Sequence, residues 1–403
     1  MSSVTHSVIP TKAWRMLALG VAAQAAGTML VSTPVYLIPM LHLERGMPLV
    51  SAGTLASAPT LGMVLTLVMW GYVADRFGER WVISGGLALT AVFACAAAAT
   101  GNLLWLGVML GLAGGASAST NAASGRVVVG WFPKERRGLA MGIRQMSQPL
   151  GVAVAALVVP PLAEQFGMHA PLLLVAAILL VLGLACMAWI ENPPRKTAAV
   201  SLDGTPQLAV NPYLKNGFLA RIHAVSMLLV LPQFALTTFG MVYMIAVLHW
   251  SATAAGLIIG LSQFIGAIGR IAIGALSDRL GNRVGVLRWV ALSAIAAMLA
   301  VSLTGALDWQ LAGAIVLVIA STITVADNGL AYTSVAEGAG TAWVGRALGI
   351  QNTGQFIVAS AVGPGLGALI AVVGYPVAFA LVAIAPLVAV PLIPKHDQHS
   401  DEA

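Results

Sequence analysis

Unbroken apolar stretches of at least 20 residues recur along the whole chain, and no other feature restricts its possible folds so severely. At about 1.5 Å per residue, a helix of that length crosses the roughly 30 Å of hydrocarbon in a bilayer. Backbone buried in hydrocarbon must satisfy its own N–H and C=O groups, so only helices or closed barrels can span it. These stretches are too long, and too rich in Ala, Gly and Leu, to be tilted barrel strands. Read between charges and turn residues, the spans fall at 14–40, 50–74, 81–100, 103–130, 138–162 and 170–190. A second set follows at 219–248, 252–275, 286–306, 309–334, 346–371 and 375–393. The expected fold class is an all-α membrane protein of twelve transmembrane helices. Composition agrees: 59% of residues are hydrophobic, only 8% are charged and the mean hydropathy is +0.91, far outside soluble averages.

Lys and Arg set the expected orientation, because short loops rich in them stay on the cytoplasmic side. Lys12, Arg15, Arg76, Arg80, Lys134, Arg136, Arg137, Arg195, Lys196, Lys215, Arg221, Arg279, Arg283, Arg288, Arg346 and Lys395 lie in alternate loops, at their helix borders or in the tails. The opposite loops hold only Arg45. Both termini are therefore expected in the cytoplasm, and the net charge of +6 reads as a topology signal and not as a nucleic-acid patch. The first apolar stretch is a full span followed by eleven more, so a cleavable signal peptide is not expected. Cys95 and Cys186 sit inside apolar spans and suggest neither a disulfide framework nor a metal cluster.

The sequence also repeats itself. Gly71, Asp75, Arg76, Gly78 and Arg80 in "GYVADRFGER" match Gly274, Asp278, Arg279, Gly281 and Arg283 in "GALSDRLGNR" at a constant offset of 203. At an offset of 207, "VYLIPMLH" (35–42) matches "VYMIAVLH" (242–249), and "GIRQMSQ" (142–148) matches "GIQNTGQ" (349–355). The widest polar gap, 191–217, is rich in Pro and Gly and reads as a cytoplasmic linker. The expected organisation is a six-helix bundle over 1–190, the linker, and a second six-helix bundle over 218–403. An even number of spans inserts both halves the same way up, as a parallel repeat about the membrane normal.

Twelve helices in two halves, with G-x-x-x-D-R-x-G-x-R between the second and third helices of each, resemble the major facilitator superfamily of secondary transporters. The resemblance covers essentially the whole chain. It implies that the two cassettes form a gate that latches the cytoplasmic side while the outer side is open. Gly71 and Gly274 would allow close helix approach, while Asp75 and Asp278 would accept from helix N-termini or from Arg partners across the halves. Topology alone accounts for the arginines but leaves the fixed Gly and Asp spacing unexplained.

A cargo must be read from polar groups inside the spans, where an ionisable side chain is costly enough to need a reason. Arg144 lies about six residues into the fifth span, Arg270 about eight residues before Asp278, and Asp327 near the middle of the tenth. In "GRIAIG", Arg270 resembles the arginine that engages substrate carboxylate in monocarboxylate and oxalate transporters of the superfamily. Gly266 stands where the former place an Asp, and Ser360 where the latter use a Lys, so the cargo is not handled as in either. Arg144 has the neutral Gln351 as its repeat mate, which suggests an asymmetric anion site. A guanidinium offers two-pronged donors that fit a carboxylate. The alternative for both arginines is snorkelling to the cytoplasmic surface, about 10 Å away. Asp327, drawn one way by loss of water and the other by a nearby guanidinium, can take up and release a proton, or can be a structural ion pair. The amides Asn121 and Asn328, and Gln148 and Gln355, are repeat mates suited to lining a midplane cavity, with Gln24, Gln233 and Gln263 beside them. Interhelical hydrogen bonding is the alternative for each amide. His42 and His249 match at the outer helix ends, where an interfacial role is expected.

No HExxH, P-loop or Ser-His-Asp context supports an enzyme, and no nucleotide-binding domain is present to drive primary transport. No cofactor or metal is implied, and the expected partners are a small anion, protons and lipid, with no nucleic acid and no second subunit. The sequence therefore points to a proton-linked symporter of a small organic anion in the cell's inner or plasma membrane. The alternative is a proton-coupled multidrug or metabolite efflux antiporter. Against it, Gly107 replaces the arginine typical of the fourth span in such antiporters, and their fifth-span glycine motif survives only as "QPLG".

Overall fold

The computed structural model describes residues 11–132, 140, 143–192, 211–214, 217–339 and 343–398, without the side chains of residues 75, 125–130, 278, 344 and 345. Helices make up nearly all of it, as apolar segments with no water to satisfy their backbone require. The first six are α1 (Thr11–Tyr36), α2 (Leu49–Phe77), α3 (Glu79–Ala99), α4 (Leu103–Trp131), α5 (Ser147–Phe166) and α6 (His169–Trp189). After the short turn Pro212–Leu214 come α7 (Phe218–Ala246), α8 (Ala252–Leu280), α9 (Arg283–Ala306), α10 (Gln310–Thr324), α11 (Asp327–Ala339), α12 (Val344–Val382) and α13 (Ile384–Leu392). Eleven described segments are long and apolar enough to span a bilayer. One of them, Arg346–Leu392, has 47 residues, about 70 Å of helix at 1.5 Å per residue. Gly374, at φ 78° and ψ 167°, breaks it into two crossings, in a region of backbone space open only to glycine. The count is thus twelve.

The expected tenth span, continuous over 309–334, is instead two helices. Val325 and Ala326 interrupt it, and Asp327 heads the second piece. An acidic residue is favoured at a helix N-terminus, where it faces unpaired amides. The first span, expected at 14–40, runs over Thr11–Glu44, its regular α-helix ending at Tyr36 and a π-helical turn following at Met40–Glu44.

Helices α1 to α6 pack among themselves, as do α7 to α13, and the two sets meet chiefly along two seams, α2 against α12 and α5 against α8. Outward faces are apolar and uncovered: Leu65 is 74%, Val68 77% and Val372 82% exposed, as suits lipid contact. Both seams are tightest where glycine removes the side chain. A Cβ on Gly53 would overlap the Gly363 carbonyl, and one on Gly256 would overlap the Ala156 carbonyl. All of these crossings lie at the ends of α2 and α8 remote from the two charged cassettes.

Among the described residues, the cassette glycines join no contact between the halves. Gly71 and Gly274, expected to permit close helix approach, have no described atom within 4 Å of the point where a Cβ would stand, so in this conformation neither supports a contact. The glycines that the local backbone needs are Gly78 (φ 85°) and Gly281 (φ 57°), which turn the chain from α2 into α3 and from α8 into α9. The N-terminus of α3 is capped by Asn192, whose Oδ1 accepts from Arg80 N at 3.0 Å. Asp397 does the same for α9, accepting from Arg283 N at 2.8 Å and Val284 N at 3.0 Å. Each cap follows the last helix of its own half.

The seam geometry gives a direct test. Gly53→Val drives methyl groups into the Gly363 backbone, and overpacking of this kind costs about 1–3 kcal/mol, enough to shift a two-state equilibrium by about tenfold. Spin labels at Phe77→Cys and Leu280→Cys, both exposed cassette-end sites, would report it in a Cys95→Ser background. The expected result is a shift of the distance distribution to shorter values. An unchanged distribution would show that the α2–α12 seam does not govern the opposite end.

Candidate functional site

Between the halves, just past the glycine crossings, lies a cavity of about 120 Å³. Its polar wall comes from Gln24, Asn121, Gln148, Gln233 and Gln263, with Thr and Ser hydroxyls between them, while Phe234 and Phe356 supply apolar faces. Arg270 is the one charged side chain among its described lining residues. The guanidinium is held by its Nε, which donates to the Val325 carbonyl at 3.2 Å, an oxygen left available by the break between α10 and α11. A smaller recess beside Arg270 is bounded by Gly266 and Thr324. A Cβ at 266 would stand 3.2 Å from Val325 Cγ2, so glycine there makes room for the Val325 side chain.

Asp327 is 1% exposed at the head of α11. Among the described residues its oxygens form no hydrogen bond of ordinary geometry, although the amides of Asp327 and Asn328 are turned toward them. Arg270 is near enough for the two charges to act on each other, yet the pair is beyond ion-pair distance among the described contacts. Asp327 therefore stands behind Arg270 and outside the cavity lining.

The remaining expected residues divide by half. Arg144 lies in the helical stretch leading into α5 and points at α4: its Nε donates to Ser124 Oγ at 2.9 Å, and its Nη2 to the Asn121 carbonyl and Oδ1 at 3.1 and 3.2 Å. Ser124 in turn donates to Gln24 Oε1 at 2.9 Å. Arg144 thus touches the cavity through Asn121 and Gln24 and is not itself in its lining. In the other half, Asn328 Nδ2 donates to Gln233 Oε1 at 2.8 Å, and Gln355 Nε2 donates to Asn328 Oδ1 at 2.9 Å and Ser226 Oγ at 2.7 Å. Asn328 and Gln355 are a second layer behind Gln233. Gln351 turns away to His223. Ser360 bonds the Ile357 carbonyl within its own helix.

Tyr332 joins these groups without any distinguishing mark in the sequence. Its hydroxyl donates to Asn352 and, at 3.1 Å, to Gln355 Oε1, and it lies within electrostatic reach of Arg144, Arg270 and Asp327. Its place five residues after Asp327, about 140° further round the helix, offers no shared-face spacing that could have found it.

The cassette arginines form no cross-half pair among the described residues. Arg76 lies over the Phe77 ring, Arg80 over the Trp81 ring, and Arg283 makes a two-pronged ion pair with Glu337 at 2.9 and 2.8 Å within the second half. Asp75 and Asp278 lie outside the described side chains. A larger concavity of about 1,020 Å³ between α2, α3 and α4 is lined almost wholly by apolar residues such as Leu61, Leu65 and Leu104, which face outward at membrane depth; it carries no charged group and no chemistry.

A sequence model of the Major Facilitator Superfamily matches residues 17–364. An uncharacterized MFS-type transporter of Mycobacterium tuberculosis is 43% identical over 383 residues, 94% of this chain and 84% of that protein. Partial matches include a multi-drug resistance efflux pump of Streptococcus pneumoniae, 25% identical over 57% of this chain and 58% of its own. Another is a 4-hydroxybenzoate transporter of Pseudomonas putida, 28% identical over 40% of this chain and 36% of its own. Among solved structures, a bacterial homologue of the human lysosomal transporter Spinster, in an inward-facing and occupied conformation, superposes with a TM-score of 0.79 at 15% identity, covering 96% of this chain and 97% of that one.

Proposed function

The chain belongs to the major facilitator superfamily of membrane transporters, and on that premise we propose that it carries a small organic anion, a carboxylate, together with protons. Transport runs by alternating access between the six-helix halves 1–190 and 218–403, as a monomer in the cell's inner or plasma membrane.

Arg270 carries this reading. It is a lone guanidinium in a cavity otherwise walled by neutral amides, hydroxyls and rings, and it meets no carboxylate at ion-pair distance among the described residues. A carboxylate entering the cavity would supply the missing acceptor in two-pronged geometry. Size favours a small solute: drug-sized ligands occupy roughly 300–1,000 Å³, against about 120 Å³ here. The 4-hydroxybenzoate transporter among the partial relatives fits a carboxylate, and the efflux pump fits the rival reading, so neither match decides.

Gln148 and Asn121 form the opposing wall, and Arg144 acts on the solute from the first half only through Asn121, which it holds in place. Asn328 and Gln355 hold the second half's polar layer behind Gln233, while Gln351 is engaged by His223. Asp327 takes the proton: neutral, it frees Arg270 for the solute; charged, it draws Arg270 back. With the cassettes on the cytoplasmic side, closure at Gly53 and Gly363 corresponds to an inward-facing state. The gate of Gly71, Asp75, Arg76, Gly78 and Arg80 with Gly274, Asp278, Arg279, Gly281 and Arg283 then assembles when the opposite side opens.

Reconstituted protein should accumulate labelled benzoate or oxalate when the trans-compartment is made alkaline, and should leave tetraphenylphosphonium, a lipophilic cation, unmoved. Proton-driven movement of the cation with no carboxylate flux would replace this reading with efflux.

A further inference from the structure

One buried titratable group has no part in the solute cavity. His223, in the first two turns of α7, is 8% exposed and has both ring nitrogens engaged. Its Nδ1 lies 2.5 Å from Gln351 Oε1, and its Nε2 lies 2.9 Å from the Tyr213 hydroxyl. Tyr213 belongs to the turn Pro212–Leu214 that leads into the second half, and its ring stacks on the imidazole with centroids 5.8 Å and planes 21° apart. Gln351 is 1% exposed, and its Nε2 has no partner among the described residues. Buried amides normally use every polar atom. Here one bond to the imidazole is kept at the expense of another.

The partners suit an imidazole that changes charge. An amide oxygen only accepts, so Nδ1 carries hydrogen in both states, whereas a phenol both donates and accepts. With the ring neutral, the Tyr213 hydroxyl donates to Nε2. With a second proton bound, Nε2–H donates to the Tyr213 oxygen, whose own hydrogen swings away. No heavy atom has to move. Burial holds the half-buried Tyr213 hydroxyl above the usual phenol range, so it relays hydrogen without ionising.

We infer that His223 is a proton-binding site in its own right, loaded through Tyr213 from the linker side and read out by Gln351 on α12. The charged and titratable groups on the surrounding elements are otherwise engaged. Arg283 of α9 pairs with Glu337 of α11, and Arg221 and Arg288 hold carbonyl oxygens between Pro391 and Pro394. Asp397 caps α9, Arg346 of α12 lies over Trp343, and Tyr332 donates to Asn352 and Gln355. Among the described residues, Tyr213 and Gln351 alone bond the imidazole. Because α12 also supplies Phe356 to the cavity and Gly363 to the seam with α2, a charge on His223 acts on the helix that moves in the cycle. That consequence rests on the transport reading; the proton site does not.

The test is an infrared titration of full-length protein in detergent with ring-labelled histidine, from pH 5 to 8. His223→Gln should remove one titrating imidazole. Tyr213→Phe should weaken proton binding at that imidazole by about three- to tenfold, because a bond to the charged ring is worth more than one to the neutral ring. Asp327→Asn should leave the signal in place, which separates failure of the coupling reading from failure of this one. A His223→Gln protein that titrates as many imidazoles as wild type overturns the inference. So does a Tyr213→Phe curve superimposable on wild type, a result still readable if His223→Gln does not fold.

Discussion

Arg270→Gln is expected to weaken binding of a carboxylate probe by about 30-fold or more, with the helical content of the protein unchanged. The figure follows from removing a desolvated, hydrogen-bonded charge, which costs about 2–5 kcal/mol in binding, each 1.4 kcal/mol being tenfold. Two effects combine. The carboxylate loses the one cationic partner among the described lining residues, and the Val325 carbonyl at the α10–α11 break loses its donor. Arg270→Lys keeps the charge but not the fork, so it should recover part of the affinity and not all. Calorimetric titration of benzoate or oxalate measures both variants. Wild-type affinity in Arg270→Gln would remove the guanidinium from the binding account and leave the transported solute open.

Asp327→Asn is expected to abolish accumulation driven by a pH gradient while sparing exchange of solute across the membrane. For one proton carried per monoanion, one pH unit stores about 1.36 kcal/mol and supports about tenfold accumulation. With the proton site removed, the ratio should fall to about onefold. Counterflow should persist, because the amide layer of Gln233, Asn328 and Gln355 is untouched. Uptake in proteoliposomes with a set pH difference measures the first quantity, and counterflow the second. A variant that still concentrates solute tenfold would assign Asp327 to structure and leave the proton to another group.

The two arginines show how far sequence reasoning reaches. Both are legible as costly charges at membrane depth, since hydropathy records a violation wherever it occurs. Their directions are not. Arg270 faces the cavity, whereas Arg144 turns onto Ser124 and Asn121 and meets it only through them. The same holds for the paired amides: Asn121 and Gln148 line the cavity, Asn328 and Gln355 stand behind Gln233, and Gln351 serves His223. Tyr332, His223 and Tyr213 carry no sequence signal that sets them apart from ordinary residues at helix borders.

The amino-acid sequence by itself determined the spans, their number, the duplication and the paired cassettes, because each depends on local hydropathy or on spacing along one chain. The broken tenth crossing, the seam glycines Gly53 and Gly363, and the identity of the group that faces Arg270 were decided only in three dimensions. A helix in lipid can rotate about its axis and slide along its neighbours with little change in the apolar surface it shows the bilayer. Its polar side chains are therefore aimed by packing between helices distant in sequence, and no window along the chain contains that information.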